Sequence, residues 1–105
     1  MNKNNSLEVI KDCTTYIKNH LQDTLTAESL ASRYGYSFYH FCHIFKICCD
    51  MSPGKYIRLL RLEKAKKDIL SGMSITQAGF DNGFETSSGF SKAFRKEYGI
   101  SAREY

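Results

Sequence analysis

The sequence predicts an all-α protein: two helix-turn-helix subdomains joined by a long linker helix, about seven helices in all. Three observations carry that expectation. First, the chain holds the same script twice. Phe45-Lys46, three residues, then Asp50-Met51-Ser52-Pro53-Gly54-Lys55-Tyr56 returns as Phe94-Arg95, three residues, then Gly99-Ile100-Ser101-Ala102-Arg103-Glu104-Tyr105. Upstream, Tyr34-Gly35-Tyr36-Ser37 aligns with Asn82-Gly83-Phe84-Glu85, so the offset is 48 residues before the turn and 49 after it. Second, apolar residues recur at helical rather than strand spacing. Third, with one proline and seven glycines the chain lacks the punctuation of a turn-rich β fold.

Each element has a local reason. Ser6 is the expected N-cap of a first helix of about 16 residues, with Val9, Ile10, Cys13, Tyr16, Ile17 and Leu21 as its apolar stripe. Thr26 opens a short helix that turns Ala27, Leu30, Ala31 and Tyr34 inward, and Gly35 supplies the left-handed residue that ends it. Ser37 caps the next helix, Phe38 to Cys48, whose buried side is expected to hold Phe38, Phe41, Ile44 and Phe45. Ser52-Pro53, a capping serine before a proline at the first helical position, starts the linker helix, which Gly72 stops. Ser74 and Gln77 have the spacing of a capping box, Gly83 turns the chain, and Thr86 to Tyr98 forms the sixth helix. Ser101 and Glu104 repeat the box spacing and predict a seventh, single-turn helix. The expected organisation is one domain over residues 1–105: a first helix-turn-helix over 7–50, the linker helix over 53–71 and a second helix-turn-helix over 74–105.

Composition narrows the function. The net charge is +4, and from Lys46 to Lys67 there are seven Lys/Arg against Asp50 and Glu63 alone, a balance that suits a polyanionic partner. No apolar run approaches the length of a membrane span or a signal core, so the chain reads as cytoplasmic and its four cysteines as reduced thiols. A short helical unit duplicated in one small domain suits a protein that reads a periodic polymer better than it suits an enzyme.

The third and sixth helices carry the candidate interface. Opposite the buried side of the third helix lie Tyr39, Cys42, His43 and Lys46 at i, i+3, i+4 and i+7, with His40 at the edge and Ser37 at the cap. An offset of 49 carries that stripe onto Ser88, Ser91, Lys92 and Arg95. Thr86 and Ser87, at the start of the sixth helix, sit where helix N-termini attract phosphate. These are groups that reach base edges and phosphates: Lys92 suits guanine, and Tyr39 a thymine methyl or a phosphate.

Leu30-Ala31, Gly35-Tyr36-Ser37, Phe45-Lys46, Met51-Ser52-Pro53, Tyr56, Arg61-Leu62, Lys64-Ala65, Gly83-Phe84, Phe90-Ser91, Phe94-Arg95, Gly99-Ile100 and Tyr105 form a long ordered pattern. It resembles the AraC/XylS family of bacterial transcription regulators from about residue 8 to residue 105. The resemblance implies asymmetric, sequence-specific DNA binding through two adjacent major grooves, usually to activate transcription by contacting RNA polymerase. It points to Tyr39, Cys42 and His43, and to Ser87, Ser88, Ser91 and Lys92, as base-facing positions. It also implies a further ligand-sensing or receiver domain in most members. With the DNA-binding unit so close to Met1, a standalone regulator or one with a C-terminal sensor is expected. The chain departs from the family pattern at Asp50 for glycine, Gly79 for alanine, His43 for arginine and Ala102 for proline. Gly79 is expected to cost about 1 kcal/mol of helix propensity.

The alternative is a thiol- or metal-responsive regulator, because His40, Cys42, His43, Cys48 and Cys49 fall within ten residues. Their spacing matches no recognised structural metal site, and neither a metal nor another cofactor is expected. Catalysis would need Cys42 with His43 or His40 in a cleft, and an exposed helix face offers none. A protein-interaction module would not need the retained basic residues.

Overall fold

The computed structural model describes residues 3–105, with side chains from residue 5 onward. All regular structure among the described residues is helical: α1 (Lys3–Asn19), α2 (Ala27–Arg33), α3 (Phe38–Cys49), α4 (Pro53–Leu70), α5 (Ile75–Asp81) and α6 (Ser87–Tyr98). The chain divides into two compact units, the first ending at Arg58 and the second beginning at Leu59.

In the first unit, α1 begins upstream of the expected cap, and Ser6 lies inside it. Lys3, Asn4 and Asn5 include no proline or glycine to stop the helix from extending backwards. Thr26 caps α2 through a reciprocal box with Ser29, whose amide donates to Thr26 Oγ1 at 3.0 Å. Ile10, Cys13 and Ile17 of α1, Leu30 and Ala31 of α2, and Phe41, Ile44 and Phe45 of α3 are buried, with α3 packed against both other helices. Phe38 is not part of it. As the first residue of α3 it remains 43% exposed, with its ring edge against Tyr39.

The second unit is built on Phe90 and Phe94 of α6, packed with Leu62 and Ala65 of α4, Ala78 of α5 and Ala102. Asn82, 1% exposed, ties α5 to α4: its Nδ2 donates to Asp68 Oδ2 at 2.9 Å and to the Ala78 carbonyl at 2.8 Å. That bond, reinforced by Lys64 at 3.2 Å, holds the Asp68 carboxyl below its usual pKa.

Local geometry repeats along with the sequence. The turn after α2 closes with the Tyr36 amide donating to the Ala31 carbonyl at 2.9 Å, and the turn after α5 with Phe84 donating to Gly79 at 3.0 Å. Both turns pass through a left-handed glycine, Gly35 at φ 76° and Gly83 at φ 91°, where a side chain would be strained. The aromatic cores match too. Tyr56 meets Phe45 edge-on at 5.5 Å and 71°, and Tyr105 meets Phe94 at 5.7 Å and 73°. The expected seventh helix is instead a turn over residues 102–104, held by one bond from the Glu104 amide to the Ser101 carbonyl. The anticipated box at Ser74 is half formed. Ser74 Oγ accepts from the Gln77 amide at 3.2 Å, but the Gln77 side chain donates to Asp81 at 2.6 Å instead of returning.

Asp50 and Gly99 occupy equivalent positions after α3 and α6, and both are left-handed, at φ 60° and φ 77°. A residue with a Cβ is strained there. Asp50→Gly is therefore expected to raise stability by about 0.5–1 kcal/mol after the added freedom of the unfolded chain is counted. A urea denaturation midpoint that falls would contradict this.

Gly79 behaves differently from the simple propensity expectation. A Cβ placed on it would lie 2.9 Å from Phe90 Cδ2 and 3.0 Å from Cγ, and Phe90 is locked in the core. The glycine makes room for the ring. Gly79→Ala gains about 1 kcal/mol of propensity but must displace a buried phenyl, at about 1–3 kcal/mol. The net result expected is a loss of stability of about 1 kcal/mol, reversed when Gly79→Ala is combined with Phe90→Leu. Thermal unfolding of the three variants checks it.

Candidate nucleic-acid interface

Two helix faces carry the candidate residues, one in each unit. On α3, Ser37 is the N-cap and its Oγ accepts from the His40 amide at 3.2 Å, so the hydroxyl has a structural task and keeps its proton and one lone pair for a further contact. Beyond it, Tyr39, His40, His43 and Lys46 are exposed, Tyr39 to 84%. Cys42 is half-buried, and burial followed by the nearby Glu28 raises its thiol pKa. It therefore stays a neutral thiol at the edge of the face. Lys46 lies in the last turn of α3, where a cation also suits the helix dipole.

On α6, Thr86 is the N-cap, and its Oγ1 accepts from the Gly89 amide at 3.0 Å. Ser87, Ser88, Ser91, Lys92 and Arg95 are all exposed. Lys92 and Arg95 make no ion pair among the described residues, where the salt bridges run Lys64–Asp68 and Lys67–Glu63 on α4. A cationic face without acidic partners is free to meet an anion. Each face thus brings its own set together on one helix, backed by two buried phenylalanines, Phe41 and Phe45 or Phe90 and Phe94.

Two residues at these faces lie outside the set that the sequence pattern selects. Ile47 is 70% exposed, one turn beyond His43, and helical spacing alone is enough to extend the stripe to it. Arg103 lines a hollow of about 410 Å³ with Ser74, Thr76, Ser87, Ser91 and Ser101. No sequence period signals that hollow, because it forms where the C-terminal turn folds beside α5 and α6.

The cysteine and histidine cluster does not converge. Among the described residues no three His, Cys, Asp or Glu side chains are grouped to hold a metal ion. All four cysteines are free thiols. Burial pushes Cys13 up to about 12, and it raises Cys49 as well. Reactive thiols are shifted the other way. No helix among the described residues is long and apolar enough to cross a membrane.

Known proteins share this architecture. A family model described as a helix-turn-helix domain matches residues 30–105. The transcriptional activator RhaS of Escherichia fergusonii is 32% identical over 90 residues, covering 85% of this chain and 32% of that protein. The C-terminal domain of AraT, a response regulator from Geobacillus stearothermophilus, superposes with a TM-score of 0.88 at 28% identity over 92% of this chain and 82% of that one. The DNA-binding domain of AdpA, solved in complex with a target DNA, has the same fold, with a TM-score of 0.86 at 22% identity over 91% and 87% of the two chains. The chain spans about a third (32%) of the length of the curated relatives it matches first. With its repeated helix-turn-helix units and a family model matched over most of its length, the chain belongs to the AraC/XylS family of DNA-binding transcription regulators.

Proposed function

We propose that the chain is a sequence-specific reader of double-stranded DNA that inserts α3 and α6 into successive major grooves and acts as a transcriptional activator. The observation that carries this reading is the duplicated face: equivalent positions on two helices present exposed polar and basic groups over matching aromatic cores. In this reading α4 is the spacer. Its 18 residues make a rod of about 27 Å, of the same order as a groove repeat of about 34 Å. Activation is supported by the naming of RhaS as an activator, and RNA polymerase is the partner it implies. A sensing or receiver domain, where one accompanies this unit, would control it. The site residues are Ser37, Tyr39, His40, Cys42, His43 and Lys46 on the first face. On the second they are Thr86, Ser87, Ser88, Ser91, Lys92 and Arg95.

Selection of bound duplexes from a random pool tests the reading. The expected product is an asymmetric site with two specified clusters about one helical turn apart, bound with an affinity that falls steeply with salt. A single cluster, or binding indifferent to salt, would defeat it.

The hollow beside α6 makes a separate prediction. Arg103 and the surrounding hydroxyls are suited to one backbone phosphate next to the groove that α6 enters. Arg103→Ala is expected to weaken every duplex alike and to reduce the slope of log affinity against log salt by about one. A change in sequence preference would assign Arg103 to a base instead.

A further inference from the structure

The two faces occupy equivalent places but differ in chemistry. On α3, Tyr39, His43 and Ile47 follow one another at intervals of four residues and form one exposed ridge. The ridge spans about 12 Å of helix axis, the length of about three base-pair steps of 3.4 Å. An offset of 49 places Ser88, Lys92 and Lys96 on the matching ridge of α6, all exposed. The second ridge is thus hydroxyl and ammonium. The first is aromatic, imidazole and aliphatic, and it ends in a large side chain 70% open to water.

A single exposed isoleucine is common on a protein surface, but this one shares its ridge with the candidate base readers Tyr39 and His43, where an apolar group of the ligand would cover it. The major groove offers one apolar group, the 5-methyl of thymine. A protein partner would also cover Ile47, but the surroundings favour nucleic acid. From Phe38 to Cys49, α3 has no acidic residue, and Lys46 lies directly beside Ile47. A face without acids and with a lysine at its edge suits a polyanion better than a mixed protein surface.

We propose that the first unit reads thymine methyl groups through this ridge, with Ile47 the residue that sets the preference, while the second unit reads acceptor edges. The inference rests on the reading that α3 enters a major groove, and it adds which base the helix selects and by which side chain.

The test uses the whole chain and duplexes selected by it from a random pool. Each thymine is replaced singly by deoxyuridine, which removes only the methyl group, and affinity is measured by fluorescence anisotropy. At one thymine or more, binding is expected to weaken about two- to five-fold, the worth of one methyl taken out of water. That loss disappears in Ile47→Ala, is intermediate in Ile47→Val and persists in Lys96→Ala. Ile47 is exposed, so these variants should keep the wild-type helicity and denaturation midpoint. If no deoxyuridine loss depends on Ile47, or if Ile47→Ala weakens thymine and deoxyuridine duplexes equally, the inference is overturned and the DNA-binding reading stands. If the chain selects no duplex at all, both fall together.

Discussion

Replacing Phe94 with alanine is expected to remove about 3–5 kcal/mol of stability. Phe94 is fully buried, and its ring centroid lies 5.9 Å from that of Phe90, 4.7 Å from Tyr98 and 5.7 Å from Tyr105. Truncation therefore loses a transfer term and leaves a void that three rigid rings cannot fill. Domains of this size are stable by about 5–15 kcal/mol in total, so the variant should be close to the threshold of unfolding at 37 °C. Phe45→Ala, the equivalent change in the first unit, should cost a similar amount, since Phe45 is also fully buried and meets Phe41 and Tyr56. Tyr105→Ala should cost less, because Tyr105 is 41% exposed and lies at one side of the cluster. Guanidinium denaturation of the three variants decides the matter. A loss below about 1 kcal/mol for Phe94→Ala, typical of a surface site, would mean that the second core is not organised around this ring.

Features held by short-range bonds are the ones a sequence exposes. Ser37, Ser52 and Ser74 are legible as caps because a capping hydroxyl bonds an amide only three residues away, and all three make that bond. The turns at Gly35 and Gly83 are legible for the same reason. Phe38 reads as a core residue because helical periodicity ignores where the body of the unit ends, and the first residue of a helix can overhang it. Gly79 looks like a defect in the sequence because the ring that requires it, Phe90, is eleven residues away and on another helix. In the first unit the equivalent position is Ala31, which is buried without difficulty, so the copies have diverged in how they seat the same phenylalanine. Arg103 has no sequence signal at all, since the hollow it lines exists only after the C-terminal turn has packed. The two faces themselves are readable in advance because each is one helix long. Within them, the half-buried state of Cys42 is set by the packing around it and not by helical spacing.

Lys92→Ala is expected to cost about 1–3 kcal/mol on the preferred duplex, about 5- to 150-fold in affinity. It should relax preference in one of the two clusters only. Lys92 stands one turn into the exposed ridge of α6, without an acidic partner among the described residues and flanked by Ser88, Ser91 and Lys96. The hydroxyls accept or donate and therefore discriminate weakly, whereas the ammonium only donates and fits the O6 and N7 acceptors of guanine. Specificity in this unit should thus depend on one residue. The charge itself has a second effect, since any lost cation weakens binding to phosphate regardless of sequence. The two contributions separate when Lys92→Ala and Lys92→Met are compared on duplexes that carry each base in turn at the guanine position. A base reader loses clearly more affinity for guanine than for the other three bases, on top of the small uniform loss that removal of the charge brings. A phosphate contact loses all four equally and the slope falls by about one. The second outcome would move Lys92 to the backbone and leave Ser88 and Ser91 as the groups of α6 that must supply whatever sequence preference its cluster shows.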